Sequence, residues 1–138
     1  MTLSRPVFVV VLDTAVVLRA LLLGDGQAKR LRAAWQSGQC QVLIGKTTAQ
    51  ALIKALAFPA FQLDAAQQQE LLADFLPYAE VVAERDSADV TPTLALVEAS
   101  AKSLDCVVSD CAELRSMVIR KRYACELLGV DEFLARLG

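Results

Sequence analysis

Val7-Phe8-Val9-Val10-Val11-Leu12 is an apolar, largely β-branched run that ends on a carboxylate, Asp13. Thr14 follows, and then a helix-type apolar pattern from Ala15 to Leu23. A short apolar run without alternation marks a strand buried on both faces, the condition of a strand inside a parallel sheet. A chain that opens this way must cover both faces of that sheet with helices. It also places Asp13 at the carboxyl end of a central strand, where open α/β sheets keep their ligand sites. Two readings of Asp13 follow, a site carboxylate or an N-cap for the next helix, and the residue type suits either.

The rest of the chain repeats the alternation. The spacing predicts a helix over 15–23, ended by Gly24-Asp25-Gly26, and a second over 28–37, with Ala33, Ala34 and Trp35 as core candidates and Gly38 as its stop. A strand over 41–44 leads through Gly45-Lys46-Thr47-Thr48 into a helix that Phe58-Pro59-Ala60-Phe61 breaks. Asp64 and Gln67 have capping-box spacing at the head of a helix reaching Leu76. A strand over 79–83, a polar loop over 84–89 and a helix from Pro92 to Ser103 come next. Cys106-Val107-Val108-Ser109 is a buried strand ending at Asp110; a brief helix over 112–117, a last strand over 123–127 and a closing helix over 131–137 complete the chain. This order predicts one domain, a three-layer α/β/α sandwich around a mainly parallel sheet of about five strands.

Composition removes whole classes of chemistry. Histidine is absent from the 138 residues, which excludes Ser-His and Cys-His catalysis and imidazole metal sites. Cys40, Cys106, Cys111 and Cys125 form no Cys-x-x-Cys pair and read as reduced, mostly buried thiols, so no zinc is expected. Gly45-Lys46-Thr47-Thr48 echoes the tail of a phosphate-binding loop, but Cys40 stands where the leading glycine belongs, and no nucleotide cofactor is expected. The net charge of −2 gives no global field for nucleic acid, so any such contact must be local. No apolar run nears the ~18 residues of a membrane span, and Arg5-Pro6 and Asp13 do not fit a signal-peptide plan. The expectation is a cytoplasmic protein with no membrane contact. Carboxylates, hydroxyls and bases remain, which points to hard cations such as Mg²⁺ or to no catalysis at all.

Asp110 is comparable to Asp13, since each follows a buried strand and the fold can bring both to one crevice. The alternative is that both are helix caps. The segments Val9-Val10-Val11-Leu12-Asp13-Thr14-Ala15-Val16-Val17-Leu18 and Leu104-Asp105-Cys106-Val107-Val108-Ser109-Asp110-Cys111-Ala112-Glu113-Leu114 resemble the two signature stretches of PIN domains. With the 49–61 helix end and the terminal Val130-Asp131-Glu132-Phe133-Leu134, the chain is similar to the toxin-like, VapC-type PIN subgroup over nearly its whole length. The resemblance implies a Mg²⁺- or Mn²⁺-dependent ribonuclease, often the toxin of a toxin–antitoxin pair, with three or four acids at its site. Compared residue by residue, Asp13 matches the first acid, but Ala15 replaces the polar residue beside it. The second acid falls at Ala51 and the third within Thr91-Pro92-Thr93, with Asp89 about one turn early. The fourth falls at Cys111, leaving Asp110 one place early and Glu113 at the next acidic position.

The resemblance therefore implies catalytic Asp13 and Asp110, and a weak Mg²⁺ or Mn²⁺ site of Asp13, Asp110 and Glu113. A two-metal nuclease needs several carboxylates around cations ~4 Å apart, and this set is too sparse for one. The expected function is a PIN-like pseudoenzyme that binds RNA or an antitoxin-like partner, with an active metal-dependent ribonuclease as the alternative. Arg120-Lys121-Arg122 is a local basic run, read either as a solvated turn or as an RNA contact. The Lys29, Arg30 and Arg32 face reads as solvent-exposed, Lys102 as an ordinary surface lysine, and a second copy of the chain as a further candidate partner.

Overall fold

The computed structural model describes residues 8–83, 92–100 and 103–137. Asp89, Thr91 and Lys102 lie outside these described residues. Five strands, β1 (Phe8–Leu12), β2 (Cys40–Ile44), β3 (Ala79–Val81), β4 (Cys106–Val108) and β5 (Glu126–Leu128), form one sheet in the order β3-β2-β1-β4-β5. Every pairing is parallel, with Val10 opposite both Val42 and Cys106. Seven helices join them: α1 (Thr14–Leu22), α2 (Gly26–Gln36), α3 (Lys46–Leu56), α4 (Ala65–Ala73), α5 (Pro92–Ser100), α6 (Ala112–Lys121) and α7 (Val130–Leu137).

The unalternating strands are buried on both faces, as their sequence requires. Val10, Leu12, Val42, Ile44, Cys106 and Val108 face one core with Val17, Leu31, Trp35, Leu52, Leu56 and Phe133. Val11, Leu43 and Val107 face the opposite core, closed by Leu96 and Val97 of α5. Trp35 is a core residue: its ring meets Phe75 edge-on at 5.0 Å, and its Nε1 donates to the Asp74 carbonyl at 2.8 Å.

Several boundaries differ from expectation, each for a local reason. Asp25 caps α2 two residues early by accepting from the Ala28 amide at 2.8 Å, and a step of 100° per residue turns Ala33 outward. α4 keeps the Asp64–Gln67 capping box but stops at Ala73; Pro77 disfavours helical geometry at Leu76, and residues 76–78 form a 3₁₀ turn instead. α6 runs on to Lys121 and is closed by Arg122 at φ 52°, so β5 begins three residues later than the expected strand. Arg32 is not simply solvated: it bends back to donate to the carbonyls of Ala20 and, at 2.9 Å, Leu23, closing the end of α1. Arg30 reaches the Leu134 carbonyl of α7 at 3.4 Å. No helix among the described residues is long and apolar enough to cross a membrane.

Candidate functional site

The sheet order changes direction at β1, whose neighbours are β2 on one side and β4 on the other. Crevices in such sheets open at this switch, beyond the carboxyl ends of the strands. Asp13 ends β1 and Ser109 ends β4, and the Asp13 amide donates to the Val108 carbonyl at 3.0 Å. The Asp13 carbonyl accepts from Val16 (2.9 Å) and Val17 (3.1 Å), so its backbone starts α1. Its side chain makes no cap hydrogen bond. The carboxylate turns across the crevice instead: Oδ2 accepts from Ser109 Oγ at 2.9 Å and Oδ1 from Thr93 Oγ1 at 3.3 Å.

Ser109 is fully buried and completely engaged. Its Oγ accepts from the Cys111 amide at 3.0 Å, its amide donates to Leu128, and its carbonyl accepts from Arg115 Nη1 at 3.0 Å. Sequence reasoning placed Thr93 in the segment of the third acid, used Ser109 only as a marker of spacing, and passed over Arg115. The signal that would have found the hydroxyls is their position: each begins or flanks an element whose head faces Asp13.

Two crevices flank Asp13. One, about 230 Å³, has an apolar floor of Val16, Ala20, Ala28, Leu31 and Val130 and a charged rim of Asp13, Arg19, Asp25 and Asp110. The other, about 300 Å³, brings together Asp13, Ala51, Thr93, Cys111 and Glu113. Asp13 therefore shares one wall with Asp110 and another with Glu113. Asp110 is turned toward α7, where Oδ1 accepts from the Val130 amide at 3.3 Å. Glycine leaves room beside it: a Cβ on Gly129 would lie 2.9 Å from that oxygen, and the Asp110 side chain would have to shift. Glu113 stands exposed in the first turn of α6, where its charge favours the helix dipole.

Among the described residues, the donor set around Asp13 does not fit a divalent cation of the kind the family implies. Among the described residues no three carboxylate or thiol side chains converge to hold an ion. Asp13 faces hydroxyl donors and Asp110 faces a backbone amide, while the positions for further acids carry Ala51 and Cys111.

The other candidates separate from this site. Arg120, Lys121 and Arg122 close α6, where cations suit the negative end of the helix, roughly 10 Å along the axis from Glu113. Lys121 pairs with Glu98 at 3.5 Å, and Glu98 also accepts from the Tyr123 hydroxyl at 2.9 Å. Burial, followed by that hydrogen bond, raises the Tyr123 pKa. Gly45-Lys46-Thr47-Thr48 is a strand-to-helix turn in which the Thr48 hydroxyl accepts from the Gly45 amide at 2.8 Å. All four cysteines are free; Cys40 and Cys106 are buried, and burial pushes both thiols up to about 12. Cys111 is exposed, contrary to the expectation for most of these thiols.

The fold and site can now be set beside known proteins. Comparison with curated proteins returns no match. Among solved structures the fold is similar to VapBC2 from Rickettsia felis bound to a DNA fragment from their promoter, with a TM-score of 0.59 and 12% identity over 88% of this chain and 98% of that one. The family model for the PIN domain matches residues 9–113, from β1 to the first turn of α6. The chain belongs to the PIN domain family.

Proposed function

We propose that this chain is the PIN component of a toxin–antitoxin-like pair, a pseudoenzyme that works by binding a partner protein in the groove at Asp13. The carrying observation is the character of the 230 Å³ crevice: an apolar floor rimmed by three carboxylates and one guanidinium. Without a cation cluster, such a rim repels RNA phosphate and attracts a basic, apolar polypeptide segment. The neighbouring fold comes from a VapBC2 assembly, which supports a protein partner of the antitoxin kind. RNA contact, in this reading, falls to the exposed Arg120 and Arg122 at the far end of α6. The protein works in the cytoplasm.

The test uses a synthetic 20-residue peptide of alternating leucine and arginine blocks, followed by fluorescence anisotropy, beside a single-stranded RNA cleavage assay with Mn²⁺. Binding should weaken with salt and be lost in Ala15→Trp, which fills the crevice from an exposed position. RNA should stay intact. Mn²⁺-dependent cleavage that disappears in Asp13→Asn would establish the active ribonuclease instead.

A further inference from the structure

The positions where this chain departs from the PIN acid pattern are gathered in one place. Ala51 on α3, Thr93 on α5 and Cys111 at the head of α6 all line the 300 Å³ crevice that holds Asp13 and Glu113. The crevice is thus kept, while these three positions present a methyl, a hydroxyl and a thiol in place of carboxylates. The exchange changes what Asp13 experiences. A carboxylate among like charges needs a cation or a proton; one that accepts from two hydroxyls needs neither. Each Asp13 oxygen already has a donor, Thr93 at 3.3 Å and Ser109 at 2.9 Å. An ion arriving there would find one or two carboxylates, a set that holds Mg²⁺ weakly without substrate phosphate.

We infer that the Asp13 crevice is a metal centre converted by substitution into a metal-independent joint. The hydroxyls of Ser109 and Thr93 stabilise the Asp13 carboxylate by hydrogen bonding in place of a cation and fasten the ends of β1 and β4 to the start of α5. The inference rests on the pseudoenzyme reading and concerns the 300 Å³ crevice, not the partner groove on the other side of Asp13. Its test is separate, because metal binding is measured without any peptide or RNA.

The experiment returns the missing acids and titrates with Mn²⁺ alone, reading the free-ion signal by electron paramagnetic resonance and the melting temperature in parallel. Wild type should bind no Mn²⁺ up to ~1 mM and show an unchanged melting temperature. Ala51→Glu/Cys111→Asp should bind at least ~10-fold more tightly and melt several degrees higher with the metal, since a ligand of the native state alone must stabilise it. Adding Asp13→Asn to that variant should remove the gain. If the double variant does not fold, Cys111→Asp serves alone. Cys111 is an exposed helix N-cap where aspartate is favoured, and this substitution should still improve Mn²⁺ binding several-fold. Wild type binding Mn²⁺ at or below ~1 mM, with loss in Asp13→Asn, overturns the inference. So does a folded variant that binds no better than wild type, since the crevice positions would then not constitute an ion site. Failure of peptide binding with these metal results intact would overturn the partner reading and leave the joint standing.

Discussion

An alanine at position 13 removes the acceptor of two hydroxyls that have little access to water. Ser109 is 0% exposed and Thr93 5%. The Ser109 oxygen already accepts from Cys111, and its backbone groups are spent on Leu128 and Arg115, so its proton loses its destination. A hydrogen bond to a charged group contributes ~1.5–3 kcal/mol, and a buried donor left unpaired costs ~1–3 kcal/mol. Asp13 is itself half-buried, and water replaces part of the loss, which brings the expected cost of Asp13→Ala to roughly 2–4 kcal/mol. At about 3–5 °C per kcal/mol for a chain of this size, the melting temperature should fall by roughly 6–20 °C. Asp13→Asn keeps an oxygen for Ser109 and presents an amide to Thr93, so it should cost under ~1 kcal/mol. Ser109→Ala deletes one of the same bonds, and its cost combined with Asp13→Ala should fall short of the sum. Urea denaturation in EDTA measures wild type, the three single variants and the double variant. Asp13→Ala as stable as wild type, or more so, would refute the reasoning, because that is the behaviour of an acid relieved of like-charged neighbours.

Other consequences are equally measurable. Gly129→Ala should cost about 1 kcal/mol, because its Cβ would meet Asp110 Oδ1 at 2.9 Å and displace it from the Val130 amide; in an Asp110→Ala background a denaturation cycle should find most of that cost gone. Trp35→Phe keeps the edge contact with Phe75 and removes one of the two donors to the Asp74 carbonyl, which still accepts from Gln36 Nε2 at 3.0 Å, so the expected loss by thermal unfolding is about 0.5–1 kcal/mol. Cys40 and Cys106 stay protonated in the folded chain up to about pH 12, against an ordinary value of 9.0. The unfolded chain gives up those protons first, so stability should decline as pH rises from about 9 toward 12. Cys40→Ala/Cys106→Ala should flatten that decline, and an unchanged slope in a pH series of unfolding curves would count against it.

The sheet was legible because β1 and β4 have no alternation to confuse: Val10-Val11 and Val107-Val108 declare strands with helices on both sides. Their ends located Asp13 for the same reason. The end of α6 was not legible, because Arg122 takes a left-handed conformation that glycine or asparagine usually announces. The inner chemistry of the site was hidden too. Whether Asp13 faces an amide, an ion or a hydroxyl depends on Thr93 and Ser109, which lie 80 and 96 residues away in sequence. Only the packing of α5 and β4 against β1 decides it. The same holds for Asp110: its residue type is read from the chain, but its commitment to Val130 follows from where α7 docks.

Arg32 gives α1 and α2 a shared fate. The last carbonyls of α1 are satisfied by a side chain of α2, so neither helix can fray at that junction without stripping hydrogen bonds from the other. In hydrogen-exchange terms the expected outcome is one cooperative unit, the slow amides of both helices opening together. The two helices also wall the apolar crevice, and Gln27 of α2 ties them to Asp131 of α7 at 2.7 Å. The crevice consequently has a set width. A guest larger than the crevice would have to break the hydrogen bonds of Arg32 and Gln27 to enter.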